Sequence, residues 1–474
     1  MKPVEIGSRL ELLIDDAVVE RLEGGATLRL HQPRRADVAL VFDQQWEGGG
    51  VNYFTVFRDG NRFRMYYRGS HVTYRFDGYR DSPQVTCYAE SGDGINWERP
   101  DLGLHEVAGT QHNNVILTEE TDGPVCHNFS PFRDDRRGVP PEERYKGLGG
   151  SHRSGLIAYG SADGIRWSKL SETPVITKGA FDSQNLAFWD SVAETYRAYV
   201  RDFGEGRDIR TCTSADFRTW TEPEFLSYTP GRTSELYTNQ VQPYYRAPHI
   251  LMGFPTRYVQ RPWQTATDYL PQPEYRRLRS SRSVREGAAV TDGMFMTSRD
   301  GEHFQIWPES FIRPGLWDRG NWFYGDNYQA LGMIETPSSR EGAPRELSLF
   351  ATESCLQRTP GRLRRFTIRV DGFVSAHAPL SGGEVMTRPL TFSGKRLFIN
   401  YASGAAGSVR VEIQDADGHA IPGYTLGEAE EFFGDSLEQP VHWKQGADVS
   451  ALEGKAVRLH FVLADADLYS YRFW

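Results

Sequence analysis

Ala180-Phe-Asp-Ser-Gln-Asn-Leu-Ala-Phe-Trp189, running on into Tyr196-Arg-Ala-Tyr-Val-Arg-Asp202, decides how the chain is read. One acid, Asp182, and two amides, Gln184 and Asn185, stand ahead of an apolar run with the character of a buried strand. An alternating strand, a turn and a further strand follow. The same order recurs at Val51-Asn52-Tyr53-Phe54, His127-Asn128-Phe129, Thr238-Asn239-Gln240-Val241 and Asp326-Asn327-Tyr328, each setting an asparagine at the mouth of a predicted strand. Five copies of one supersecondary unit weigh more than any single motif.

Working outward, each copy carries a second predicted strand: Phe63–Tyr67, Tyr145–Leu148, Tyr196–Val200, His249–Gly253 and Glu346–Phe350. A third strand leads into a recurring tight turn: Ser91-Gly-Asp-Gly-Ile-Asn-Trp97, Ser161-Ala-Asp-Gly-Ile-Arg-Trp167, Ser214-Ala-Asp-Phe-Arg-Thr-Trp220 and Ser298-Arg-Asp-Gly-Glu-His-Phe304. There the Ser and Asp side chains accept backbone N–H groups, glycine supplies φ > 0, and the aromatic packs between units. The turn is structural, not catalytic. The fifth copy lacks it, and Arg362–Phe373 supplies its outer strands. Four short strands per unit, repeated, make an all-β chain and a five-bladed β-propeller over residues 1–374. The N-terminal segment 9–30 is expected to close the last blade.

At 474 residues the chain exceeds the ~250–300 at which a single core stops growing, so a second domain is expected. Net charge is −9 with no basic block, which excludes the electrostatic footprint of a nucleic-acid partner. Aromatic content of 13% with a mean hydropathy of −0.56 suits a water-exposed β-rich protein with aromatic-lined surfaces. No apolar run nears the ~18–20 residues of a membrane span, and the first residues lack a signal-peptide apolar stretch, so a cytoplasmic protein with no membrane partner is expected. Cys87, Cys126, Cys212 and Cys355 show no ligand spacing and read as free thiols, with Cys87 and Cys212 inside predicted strands.

Five blades with S-x-D-G-x-x-W turns resemble the propeller glycosidases of the invertase/levansucrase and arabinanase/xylosidase clans, although the W-x-N-D-P-N-G and R-D-P signatures of invertases are absent. Many members of that superfamily append a C-terminal β-sandwich. Residues 375–474, with alternating runs at Arg396–Tyr401, Ser408–Ile413 and Val457–Leu463, fit one. The resemblance implies a glycosidase acting on a carbohydrate substrate, with furanosides (fructosyl or arabinosyl) ahead of pyranosides. It also allows a structural Ca²⁺, since axial calcium occurs in related propellers, but no oxygen-ligand spacing demands a metal, and no other cofactor is expected.

In such a propeller the mouths of the first strands and the ends of the second strands open at one funnel-shaped face. Glycoside cleavage needs two carboxyls, one protonated and one ionised. The catalytic candidates are Asp182, Glu47, which matches the position where related propellers carry a nucleophile or base, and Glu353, at a second-strand end. Asp326 and Glu235 stand in reserve. Candidate sugar contacts are Asn52, His127, Gln184, Asn185, Arg201, Glu235, Tyr237, Asn239, Arg257, Trp322, Asp326 and Asn327. The asparagines read more readily as register residues bonding neighbouring backbone than as direct sugar ligands. Two rival readings remain: a phosphorylase, with Arg68, Arg201 and Arg257 as an anion site, and a non-catalytic sugar-binding propeller. Two long connections, Gly69–Arg80 and Val259–Arg285, belong to the funnel face, and the second is expected to cap the site or to reach a neighbouring subunit in a homo-oligomer.

Overall fold

The computed structural model describes residues 2–76 and 78–474; Met1, and Asp77 of the first long connection, lie outside the described residues. The chain is all-β with its sheets in a propeller arrangement. The first sheet sets Asn52–Asp59, Arg62–Gly69, Val85–Ser91 and Val115–Thr118 side by side in chain order. The second does the same with Ser130–Arg133, Tyr145–Ser151, Gly155–Ser161 and Ser168–Lys169. Leu186–Asp190, Thr195–Gly204, Gly206–Ser214 and Glu224–Phe225 form the third. The fourth sheet has seven strands, built around Gln242–Tyr244, Ala247–Gly253, Val290–Ser298 and His303–Ile312. A fifth takes Ile334–Thr336, Glu346–Glu353, Arg362–Ile368 and, from the other end of the chain, Arg34–Val41.

The strand that closes this last sheet is therefore Arg34–Val41, downstream of the 9–30 segment expected there. Val4–Gly7, Glu11–Leu12, Val19–Glu23 and Thr27–Leu30 pair instead with strands after residue 373, in a ten-stranded sheet. Alternation predicts a strand but not the edge it joins. Here packing decides: Leu10, Leu12 and Ile14 bury against Phe254, Phe295 and Phe311 of the fourth sheet while the backbone pairs elsewhere. The ten-stranded sheet has its own core, including Val411, Trp443, Phe461 and Phe473.

Each of the four tight turns begins at the last residue of a third strand and is held as its residue types require. In the second, Ser161 Oγ accepts from Gly164 N at 2.8 Å, and Asp163 Oδ1 accepts from Ile165 N and Arg166 N, both at 2.8 Å. Gly164 sits at φ 75°, and a Cβ there would meet the Tyr66 hydroxyl at 2.8 Å, so glycine is needed twice over. The aromatic that ends the turn reaches the neighbouring sheet: Trp167 packs edge-on to Tyr66, and Trp97 edge-on to Phe350. All four cysteines are buried free thiols.

The innermost strands surround an axis. Thr55 bridges in parallel to Leu331, joining the first sheet to the segment entering the fifth. Toward the far ends of these strands a cavity of about 390 Å³ is lined by Thr55, Phe132, Phe188, Val241 and Leu331, one residue from each inner segment. Nearer the mouths the axis is filled by amides: Gln184 Nε2 donates to Thr55 Oγ1 at 2.9 Å, and Gln240 Nε2 donates to Gln184 Oε1 at 2.5 Å.

Candidate functional site

At the strand mouths the backbone takes a form that the residue types disfavour. Tyr53, Phe181, Gln240 and Asn327 all have left-handed φ, between 46° and 59°. Each costs on the order of 1–3 kcal/mol and persists only where surroundings over-determine it. The asparagines supply part of that determination. Asn128 Nδ2 donates to the carbonyls of Phe181 and Ser183 at 2.7 and 2.8 Å, and Asn185 Nδ2 donates to the same two. Asn239 Nδ2 reaches the Gln184 and Tyr199 carbonyls, and Asn327 Nδ2 that of Thr291. Asn128, Asn185, Asn239 and Asn327 are thus bound to backbone, as is the buried Gln184 to the axial amides. Asn52 is buried beside Cys355.

The strained turn at Phe181 lifts Asp182 into solvent. Its side chain is 61% exposed although its neighbours Phe181, Ser183 and Gln184 are fully buried. Arg201 Nη2 lies 3.1 Å from Asp182 Oδ2 and donates to the Asp182 carbonyl at 3.0 Å. His127 Nε2 lies 3.4 Å from Oδ1. On the other side of the imidazole, Arg68 Nη1 is 3.1 Å from Nδ1. Gln84 Oε1 lies 3.1 Å from the same Nδ1, so the imidazole is set between a guanidinium, an amide and the Asp182 carboxylate. Desolvation raises the Asp182 pKa, but the His127 hydrogen bond and the charges of Arg201 and Arg68 outweigh it and hold the carboxyl below its usual range. Burial and Arg68 press His127 the other way, keeping the imidazole neutral at higher acidity than usual.

Tyrosines from other sheets complete the wall. Tyr53 meets His127 edge-on with centroids 5.6 Å apart, and Arg68 lies 5.0 Å over the same phenol ring. Tyr324 donates to the Tyr237 hydroxyl at 3.0 Å, and the Tyr237 and Tyr328 rings are 5.1 Å apart. Burial raises the phenols of Tyr53, Tyr237 and Tyr328 well above their ordinary range, so they remain hydroxyl donors. Beyond Tyr237, Arg207 lies 4.1 Å over Tyr258 and binds Glu235 at 2.7 Å.

Glu47 and Glu353 are not brought to this bowl. Glu47 is fully buried, accepting from the Tyr67 hydroxyl at 2.6 Å, Arg99 Nε at 2.8 Å and Gln44 N at 3.1 Å. Glu353 is buried, held by Arg35 at 2.6 Å and Arg364 at 2.9 Å from the outer strands of its sheet. Asp326 is sealed as well, accepting from Cys355 N and Phe323 N; burial raises its carboxyl to about 8. Arg257 is held by Asp292 at 2.6 Å and by the Pro308 carbonyl. Trp322 is half-buried, its indole N–H donating to the Gly315 carbonyl.

Of the sequence candidates, Asp182, His127, Arg201, Tyr237 and Glu235 share one connected network. Sequence reasoning missed Tyr53, Arg207, Tyr258, Tyr324 and Tyr328 as wall residues. Two had a signal available, because Tyr53 and Tyr328 directly follow the repeated asparagine. The long connections meet at this face: the first folds as a hairpin, Val72–Arg75 with Gly78–Asp81, and the second as three short helices. Tyr74 of the hairpin donates to Glu286 at 3.0 Å, and Arg282 lies 4.2 Å over Tyr79. A cleft of about 470 Å³ at the hairpin's base is lined by Asp43, Gln44, His71, Arg75 and Gln357; Asp182 does not line it. Among the described residues no three His, Cys, Asp or Glu side chains group as a metal site, and no helix is long and apolar enough to cross a membrane.

No family model matches the chain, and no curated protein does. Solved structures do resemble it. A fructofuranosidase from Schwanniomyces occidentalis, complexed with fructosylnystose, covers 94% of this chain and 98% of its own at 11% identity and a TM-score of 0.38. The catalytic domain of an α-L-arabinofuranosidase from Coprinopsis cinerea covers 71% and 97% at 9% identity and a TM-score of 0.40. An N-acetylgalactosamine deacetylase from F. plautii, in complex with blood group B trisaccharide, covers 72% and 94% at 14% identity and a TM-score of 0.40. Likeness at this level says nothing of the reaction.

Proposed function

We propose that the chain is a glycosidase whose reaction centre is the bowl around Asp182. The observation that carries this is Asp182 itself, a carboxylate kept ionised by His127 and Arg201 and exposed among buried phenol donors drawn from separate sheets. An ionised carboxylate is the nucleophile or base of glycoside cleavage, and phenols and a neutral imidazole suit sugar hydroxyls. Glu235 takes the place of Glu47 and Glu353 as second carboxyl. Its carboxylate is held by Arg207 Nη1 at 2.7 Å.

The proposed frame is a five-bladed propeller spanning residues 34–373, with the seven-stranded sheet as its fourth blade. The ten-stranded sheet of residues 4–30 and 374–473 folds over on itself as the C-terminal β-sandwich. Its strands Leu397–Asp415 and Val457–Phe473 are long enough to bend across two layers, and their register breaks between Ser403 and Ser408. Fructosyl and arabinosyl furanosides head the substrates to try. Phosphorolysis is the second reading, favoured by the burial of Arg201 beside Asp182.

A chromogenic glycoside panel on wild type and Asp182→Asn, with and without phosphate, tests the proposal. Turnover should fall by about 10²–10⁴-fold in the variant. Turnover that needs phosphate would select the second reading. Sugar binding with no turnover on any glycoside would leave a binding protein.

A further inference from the structure

The wall around Asp182 is richer in guanidinium than in carboxylate. Arg68, Arg201, Arg207 and Arg285 stand with Tyr53, Tyr237, Tyr258 and Tyr324, and the acids among them are Asp182, Glu235 and Glu286. This happens in a chain of net charge −9. Elsewhere arginines are neutralised: Arg35 and Arg364 on Glu353, Arg257 on Asp292, Arg299 on Glu11 and Asp15. Arg68 differs, donating to the Gly50 carbonyl and to His127 and forming no ion pair among the described residues. Arg201 is 1% exposed, and its Nε and Nη1 hydrogens meet no acceptor among the described residues. Its guanidinium lies 4.5 Å over Phe203 and 5.7 Å over Tyr237, and Arg207 shares both rings.

Burying guanidinium groups short of acceptors costs free energy that neutral hydroxyls repay poorly. An oxyanion repays it, since pairs of carboxylate or phosphate oxygens match the guanidinium fork and charge-assisted bonds are roughly twice as strong as neutral ones. We propose that this bowl contains an anion subsite in which Arg68, Arg201 and Arg207, with the hydroxyls of Tyr53 and Tyr237, take the carboxylate or phosphate group of a sugar substrate or inorganic phosphate itself. The inference rests on the reading of the bowl as the sugar site and narrows the substrate to an anionic one, or the co-substrate to phosphate.

The test is calorimetric titration of the full chain with sodium glucuronate, inorganic phosphate and glucose, read without turnover so that a failed glycosidase assay leaves it standing. At least one anion should bind about tenfold or more tightly than glucose, and more weakly as NaCl rises. Arg207→Gln, partly exposed and so tolerant of change, should lose about tenfold of that affinity; Arg68→Gln should do the same. Binding of glucuronate alone identifies a sugar carboxylate, binding of phosphate alone a phosphate group, and either supports the subsite. Glucose binding as well as both anions, no anion binding at millimolar concentration, or anion binding untouched in both variants with wild-type melting temperatures would overturn it.

Discussion

At the scale of the residue, the account turns on how Asp182 is kept ionised. Its hydrogen bond to His127 is the first of the influences that lower its pKa, and the charge of Arg201 the next. If catalysis needs the ionised form, the acid limb of the kcat/KM profile lies below the ordinary carboxylate range. His127→Ala removes the bond, so the limb should move to higher pH while kcat/KM falls about tenfold. His127→Gln, which restores an N–H donor, should move it part of the way back. A limb that stays put in both variants would detach His127 from the reaction. The placement of Asp182 at a strand mouth was legible in the sequence, because no local turn claims it. Glu47 and Glu353 stand apart from the bowl because partners remote in sequence hold them, which position alone does not show. Arg99 lies 52 residues from Glu47, and Arg35 lies 318 from Glu353.

At the scale of the element, legibility followed locality. The S-x-D-G turns were readable because the side chains that close them lie within three residues of the N–H groups they accept. Asp163→Ala deletes the acceptor for Ile165 N and Arg166 N, and should cost on the order of 1–2 kcal/mol in urea unfolding. Turnover per folded molecule should not change, because the turn lies at the other ends of the strands from the bowl. The extra strands of the fourth sheet and the three helices between Thr265 and Ala288 went unread, since their period is broken and what holds them is remote. Arg276, for example, is satisfied by the carbonyls of Pro271, Gly287 and Trp322.

At the scale of the whole molecule, the recurring strand-and-turn unit made the propeller arrangement readable, while the course of the N-terminal segment was not, because a cluster of distant charges sets it. Glu11 is fully buried between Arg9, His249 and Arg299, and Arg299 also binds Asp15, which ties the segment to the fourth sheet. Desolvation raises the Glu11 pKa, but these partners outweigh it and lower it from 4.5 to about 2. A carboxyl depressed on folding stabilises above its unfolded pKa and loses that contribution as pH falls through the folded one. Stability on the order of 3 kcal/mol should therefore drain away between about pH 4.5 and pH 2. Glu11→Gln should lose it at neutral pH and flatten that part of the melting-temperature profile; an unchanged profile would free the segment from this cluster. The central claim is that sugar binds and is cleaved beside Asp182, at the strand mouths. A crystal structure of Asp182→Asn soaked with the best substrate from the panel tests it most directly. The account predicts a sugar whose anomeric carbon lies within about 3.5 Å of the residue 182 side chain, against Tyr53 and Tyr237. Density for the sugar in the cavity at the far end of the axis, against Phe132 and Phe188, would contradict it.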